Sequence, residues 1–482
     1  MPALLLALYV VLVGLCAAHG AHRLVLLASY LRNRGKVPVA PPWAGPLPFV
    51  TVQLPVYNER DVVARVIDAA AALDWPADRL EIQLLDDSTD DTGLVALPAV
   101  DRALARGLDV RVLRRADRAG FKAGALAAGL QEARGELIAV FDADFVPAPD
   151  FLRTLVPHFA DPGVGMVQAC WGHLNADASV LTRTEAALLD GHFVIEHTAR
   201  CRGGRWFNFN GTAGVWRRAC IDAAGGWQHD TLTEDLDLSY RAQVAGWRFV
   251  YMLEHVSPAE LPASLAAFRG QQRRWAKGSV EVARKLVPSI LHADAPLATR
   301  LEALAHLTAN LAWPVSLLLA LVLPALVIVR GTAPGAWLYL PAFVFSTGVH
   351  ALFYLVAARR VSVIPLTTLL GIGMTVHQTF AVVEALTGRR TAFVRTPKAG
   401  AGGGSYAAAD RLDPAVPIEV GLMVVHLGTA VWAAVQGVWG AVPFLLLFGG
   451  GFAWTGLGSL LEARKVHVRR FDTALGAPVG GR

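Results

Sequence analysis

The chain has 482 residues, of which 54% are hydrophobic and 17% charged, and its mean hydropathy of +0.42 excludes a wholly soluble protein of this length. The net charge of +5 and pI near 9.1 do not call for nucleic acid as a partner, because the lysines and arginines collect beside apolar runs, where a cytoplasmic membrane face accounts for them. Cys16, Cys170, Cys201 and Cys220 form no C-x-x-C pair and have no histidine at zinc-ligand spacing, which argues against a disulfide framework or structural zinc and fits a reducing compartment.

In chain order, the first element is an apolar run over residues 3–28 with no basic residue before it. A cleaved signal peptide begins with positive charge, so residues 1–36 read as a retained membrane anchor. Arg32, Arg34 and Lys36 follow directly and place the next segment in the cytoplasm.

Residues 37–300 alternate apolar and charged stretches as a globular domain does. FVTVQLPV, EIQLLDD, DVRVL and ELIAVFDAD read as strands, separated by helix-compatible stretches near 59–73, 91–106 and 122–134. This alternation predicts a mostly parallel sheet with helices on both faces and a ligand site beyond the carboxyl ends of its strands. Acids sit at that rim: Asp86 and Asp87 end the second strand, Asp142 and Asp144 the fourth. A lone D-x-D string is also what a polar strand-to-loop transition looks like. Two acid pairs on one rim favour a hard divalent cation, Mg²⁺ or Mn²⁺, serving a phosphate ligand.

Lys122 opens the run KAGALAAGL at a predicted helix N-terminus, where the helix dipole disfavours a cation unless an anion is also present. Further on, TEDLDLSYR supplies Glu234 and Asp235, which taken alone are ordinary dipole complements. QQRRW places Gln271, Arg274 and Trp275 on one helix face, either as a basic interfacial helix or as a sugar and diphosphate site.

Apolar runs near 306–329, 336–357, 416–437 and 441–461 each approach the roughly 20 residues of a membrane span. The run 361–386 is flanked at both ends by arginines, so it reads as an interfacial or re-entrant helix that returns to its own side. The chain thus divides into a membrane anchor (1–36), a catalytic domain (37–300), two spans (301–358), an interfacial helix and loop (359–415), two more spans (416–463) and a tail (464–482).

The ordered motifs QLPVYNE, LLDDSTDDT, FKAGAL, FDADF, NFNGTAGVWRR, TEDLDLSYR, QQRRWAKGS and FVRTPK resemble those of glycosyltransferase family 2, in the processive branch of the cellulose synthase superfamily. The likeness is strongest to the cellulose synthase-like A and C enzymes, which make β-linked mannan, glucomannan or glucan. It implies an α/β GT-A domain inserted between transmembrane helices, acting as an inverting hexosyltransferase on GDP-mannose or UDP-glucose. The same resemblance implies donor contacts from Asp86, Asp87, Lys122 and Arg274, and a metal site at Asp142 and Asp144. Asp235 would be the general base, with Glu234 assisting. Trp275, Gln271, Asn210, Gly211 and Thr212 would form the acceptor site, and FVRTPK a gating loop. A growing polysaccharide is the implied acceptor, in a bacterial plasma membrane with the domain in the cytoplasm, with a homo-oligomer or accessory export subunit as possible partners. The rival expectation is a single transfer to a membrane lipid, which would use the same acids. HFVIEH (192–197) lacks the H-E-x-x-H spacing and reads as structural.

Overall fold

The computed structural model describes residues 2–330, 340–358, 361–389 and 412–474. The FVRTPK segment, expected as a gating loop, lies outside the described residues. Strands β1 (Val50–Val56), β2 (Leu80–Asp86), β3 (Asp109–Leu113), β4 (Leu137–Val140), β5 (Val164–His173), β6 (Gly214–Arg217) and β7 (Arg248–Ala259) form one sheet in the order β3-β2-β1-β4-β6-β5-β7. All neighbours pair in parallel except at β6, which runs against both β4 and β5.

β1, β2 and β4 are buried along their whole length, as continuous apolar strands covered on both faces should be. Side-chain alternation divides β4 between two cores. Leu137 and Ala139 join helices Val63–Ala71 and Thr92–Ala105 on one face, while Ile138 and Val140 join Phe121–Glu132 and Glu234–Val244 on the other. Polar side chains inside the sheet are matched in pairs: Thr51 Oγ1 donates to Glu81 at 2.7 Å, and Gln53 Nε2 to Gln83 Oε1 at 3.0 Å.

Among the described residues, four helical stretches are long and apolar enough to cross a membrane: Ala3–Asn33, Leu297–Val329, Ala415–Val435 and Trp439–Lys465. Leu340–Ala358 packs beside the first of these, through Phe353 and Tyr354 against Leu26, Leu27 and Tyr30. The 361–386 run is two helices, Val361–Gly373 and Thr375–Thr387, meeting at 48°. The bend falls where the chain has no room for a side chain, since a Cβ on Gly373 would stand 2.4 Å from the Gly451 carbonyl of the last helix.

Helix Leu265–His292 joins the soluble domain to these membrane helices. Arg269, Arg273 and Lys277 repeat every four residues and so share one face. On that face Arg269 grips Glu419 through both carboxylate oxygens at 2.9 and 2.5 Å, Arg273 meets Glu384 at 2.6 Å, and Lys277 donates to the Arg389 carbonyl at 2.5 Å. The opposite face is thereby turned to the sheet rim.

Candidate active site

A cavity of about 190 Å³ opens beyond the carboxyl ends of the central strands. Asp87 from the end of β2, Lys122, Asp142 and Asp144 after β4, Asn210 and Gly211 before β6, Glu234 and Asp235, and Gln271, Arg274 and Trp275 all line it. These residues are scattered over nearly two hundred positions of chain, and the parallel topology delivers them to one rim.

The acids of FDADF arrive by a different route from the one their spacing suggests. β4 ends at Val140, and Asp142–Phe145 form a turn closed by the Phe145 N–H on the Asp142 carbonyl at 3.0 Å. Strand alternation therefore does not align Asp142 and Asp144; the turn does. Asp142 is held by Lys122 Nζ at 2.5 Å, and its own N–H donates to Thr212 Oγ1 at 2.9 Å. The two carboxylates are hard oxygen donors facing the cavity, a set that fits Mg²⁺ or Mn²⁺. Among the described residues no three metal-ligating side chains gather, so such a cation would complete its shell with substrate oxygens, as magnesium commonly does.

Lys122 lies in the first turn of Phe121–Glu132, which Gly120 enters in the left-handed conformation, φ +70°. Its ammonium also donates to the Gly211 carbonyl at 3.0 Å. Burial works against this charge, but Asp142, Glu234 and Asp235 together outweigh it and raise the pKa of Lys122. The anions that its position at a helix N-terminus demanded are therefore present in the protein itself.

Glu234 and Asp235 begin helix Glu234–Val244. Burial, then the Glu234 charge, push Asp235 up to about 7, against the pull of Lys122. Glu234 is raised too, chiefly by burial. Gly211 is pressed against both partners: at φ +83° a Cβ there would lie 3.0 Å from Asp235 Oδ2 and 3.3 Å from Lys122 Nζ. On the facing helix, burial pulls Arg274 down to about 10, opposed by Glu234 and Asp142, which leaves it cationic at neutral pH. Among the described residues Gln271 Oε1 is buried without a hydrogen-bond partner, and Trp275 is partly buried against the core.

Two expected contacts fall elsewhere. Asp86 does not line the cavity; its carboxylate is buried against Arg114, which donates to it at 2.9 and 2.7 Å. Successive residues at a strand end point to opposite sides, so Asp87 faces the cavity and Asp86 cannot. Asp87 in turn is clamped by Arg115. Thr212 is likewise off the wall, fully buried, and acts by orienting Asp142. Asn210 is fixed between two histidines, its Nδ2 donating to His192 at 3.0 Å and its Oδ1 accepting from His197 at 2.7 Å. Both histidines lie in a π-helical turn, Gly191–His197, the HFVIEH stretch expected to be structural.

Sequence reasoning passed over Tyr57 and Arg118, which line the cavity with the guanidinium 3.3 Å above the ring. It also passed over Trp171, stacked on Phe193 at 4.8 Å. Tyr57 was within reach, since it stands inside QLPVYNE at the end of a buried strand.

Residues 47–278 match the glycosyltransferase-like family 2 domain. Over 382 residues the chain is 36% identical to glucomannan 4-beta-mannosyltransferase 2 of Arabidopsis thaliana, covering 74% of this chain and 68% of that one. It is 43% identical over 253 residues to probable glucomannan 4-beta-mannosyltransferase 7 of Oryza sativa subsp. japonica, covering 51% of this chain and 43% of the rice protein. Its fold matches that of a mannosyltransferase from Pyrobaculum calidifontis, solved with GDP-Man and Mn²⁺, with a TM-score of 0.58 and 25% identity over 80% of this chain and all of that one. With a GT-A sheet, acids and a lysine gathered at its rim and apolar helices on both sides, the chain belongs to glycosyltransferase family 2, in the branch of the cellulose synthase-like A glucomannan mannosyltransferases, and is a membrane-bound hexosyltransferase.

Proposed function

We propose that this protein transfers mannose from GDP-mannose to the end of a growing β-linked polysaccharide on the cytoplasmic face of a bacterial plasma membrane. The observation that carries the reading is the meeting of Lys122, Asp142, Glu234, Asp235 and Arg274 on one cavity wall with Trp275. The donor is favoured by the relatives, which are named as mannosyltransferases, and by the GDP-Man held in the similar structure. The basic residues Arg32, Arg34 and Lys36 after the first helix support the cytoplasmic side.

In this reading Lys122 and Arg274 bind the diphosphate and meet the negative charge that grows on it as the bond to the sugar breaks. Asp142 and Asp144 would hold Mg²⁺ or Mn²⁺, which supplies further charge neutralisation at the leaving diphosphate. Asp235, poised near neutrality, takes the proton from the acceptor hydroxyl, whose oxygen bonds to the anomeric carbon on the face opposite the leaving group. An α-linked donor then yields a β-glycoside. Trp275 offers its ring to the acceptor sugar, and Gln271 Oε1 offers an acceptor to a sugar hydroxyl.

The test is turnover by the full chain in nanodiscs with Mn²⁺, given radiolabelled GDP-mannose and UDP-glucose in separate reactions. Polymer from GDP-mannose that a β-mannanase degrades is the expected product. Polymer from UDP-glucose alone would overturn the donor assignment, and label confined to a lipid-extractable monoglycoside would overturn the polysaccharide.

A further inference from the structure

A second cavity, of about 660 Å³, lies among the membrane helices and shares no lining residue with the catalytic one. Its walls come from the N-terminal helix, from Ala312–Arg330 and Leu340–Ala358, from the bent pair and from the start of the last helix. Along the N-terminal helix it runs from Tyr9 to Arg23, about 21 Å at the helical rise per residue and roughly two thirds of the hydrocarbon thickness of a bilayer.

Its lining is of two kinds. His19, Arg23, His350 and Asn310 supply the charged and strongly polar groups of the lining, whereas the rest is mostly apolar, with Leu323, Val327 and Phe448 beside uncharged groups such as Tyr9, Ser316 and Thr347. The depth of Arg23 is set by the soluble domain. His22 bonds Glu302 at 2.9 Å, Glu302 accepts from Arg200 of the catalytic domain at 3.0 Å, and Leu26 and Leu27 pack on Ile195 and Ala199. Arg23 therefore lies where the membrane meets that domain.

Arg23 bonds His350 at 3.2 Å and stands over the rings of Phe353 and Tyr354 at 5.3 and 5.7 Å. Among the described residues no carboxylate lies within 4.0 Å of it. Glu196 feels its charge but is bonded to Arg200 at 3.2 Å and His192 at 3.3 Å, so the guanidinium, at the edge of hydrocarbon and without a carboxylate in contact, is better satisfied when an anion joins it, and phosphate is the anion its planar fork suits.

We propose that this cavity binds one membrane lipid, its phosphate at Arg23 and a long hydrocarbon chain laid along the N-terminal helix towards Tyr9. The shared chemistry is a phosphate on a long apolar chain, which an anionic glycerophospholipid or a polyprenyl phosphate supplies. The site stands apart from the reacting groups, so it holds whichever acceptor the catalytic cavity uses.

The experiment is native mass spectrometry of the full chain purified in mild detergent, with organic extraction of what it carries. Parallel samples are relipidated with phosphatidylglycerol, phosphatidylcholine or undecaprenyl phosphate. One phosphate-bearing lipid per wild-type chain is expected, with phosphatidylglycerol or undecaprenyl phosphate retained over phosphatidylcholine, and whichever of the two is retained names the source. Arg23→Leu should lower occupancy at least about tenfold, the equivalent of one 1.4 kcal/mol step, and Arg23→Lys should keep most of it. Ser316→Trp, which fills the chain path and leaves Arg23 in place, should also empty the site. All variants are compared as monodisperse protein that still binds GDP, and if Arg23→Leu does not fold, Arg23→Lys and Ser316→Trp decide. A lipid-free wild type, equal retention of phosphatidylcholine, unchanged occupancy in Arg23→Leu or Ser316→Trp, or an extracted oligosaccharide in place of lipid would each overturn the proposal.

Discussion

Two adjacent acid pairs, Asp86–Asp87 and Glu234–Asp235, are set on the same rim and treated in opposite ways. Each of the first pair is clamped by its own arginine, Asp86 by Arg114 and Asp87 by Arg115. Among the described residues neither Glu234 nor Asp235 has an ion-pair partner within 4.0 Å, and both share the more distant field of Lys122. The arginine clamps hold both carboxylates of the first pair in place, Asp87 on the cavity wall and Asp86 behind it. The second pair, buried and without a carboxylate-to-cation contact, holds its protons more tightly, which suits the base we propose there.

The largest effect should come from removing the acid of the second pair that is poised near neutrality. Asp235→Asn keeps the shape and loses the proton acceptor, so kcat should fall by about 10²–10⁴-fold, while GDP-mannose binding measured by calorimetry stays near wild type. A variant that keeps its turnover would end the assignment of Asp235 as base. Next in size is Lys122→Met, which removes a cation whose field reaches both acids of the second pair. Loss of a group that meets charge in the transition state costs about 10²–10³ in rate, and kcat should fall together with donor affinity because Asp142 loses its partner too.

The clamped pair predicts a smaller and different response. In Asp86→Asn a buried carboxylate that takes two arginine hydrogen bonds is replaced by an amide that keeps one acceptor. Arg114 is well exposed and rehydrates, so the cost is about 1–3 kcal/mol of stability, read as a lower unfolding midpoint, with kcat little changed. A collapse of kcat without loss of stability would place Asp86 in the chemistry after all.

How far the rim could be read from the chain follows the same division. β1 to β4 are legible because fully buried strands leave continuous apolar runs, and the acids that end them announce the rim. Glu234 and Asp235 open a helix, as TEDLDLSYR suggested, and Gln271, Arg274 and Trp275 share a helix face as their spacing requires. What stayed hidden depends on direction and distance. Neighbouring acids such as Asp86 and Asp87 look alike in sequence and point opposite ways in space. The turn that aligns Asp142 with Asp144 lies one residue past where the strand pattern ends. Arg114 and Arg115, which decide the character of the first pair, sit 28 positions downstream of it, and no local pattern links them. The π-helical turn that fixes Asn210 has no periodicity of its own to detect.

The finest test of the contrast is to change the charge of the second pair without removing its base. Burial is the largest influence raising Asp235, and the Glu234 carboxylate comes next. Glu234→Gln removes that like charge, so the ionised form of Asp235 becomes easier to reach and its pKa falls. The acid limb of kcat/KM reports groups of the free enzyme, and in the wild type it belongs to the coupled pair, with Asp235 pushed up to about 7. The limb should therefore move to lower pH by about 1 unit. It should still lie above the ordinary aspartate range, because burial is untouched. At pH 6 the variant should retain a larger fraction of its own maximal kcat/KM than the wild type does of its maximum, even where its plateau is lower. An unmoved limb would mean that burial alone sets the base, and a limb displaced to higher pH would mean that Glu234 holds Asp235 ionised through a contact that outweighs their repulsion.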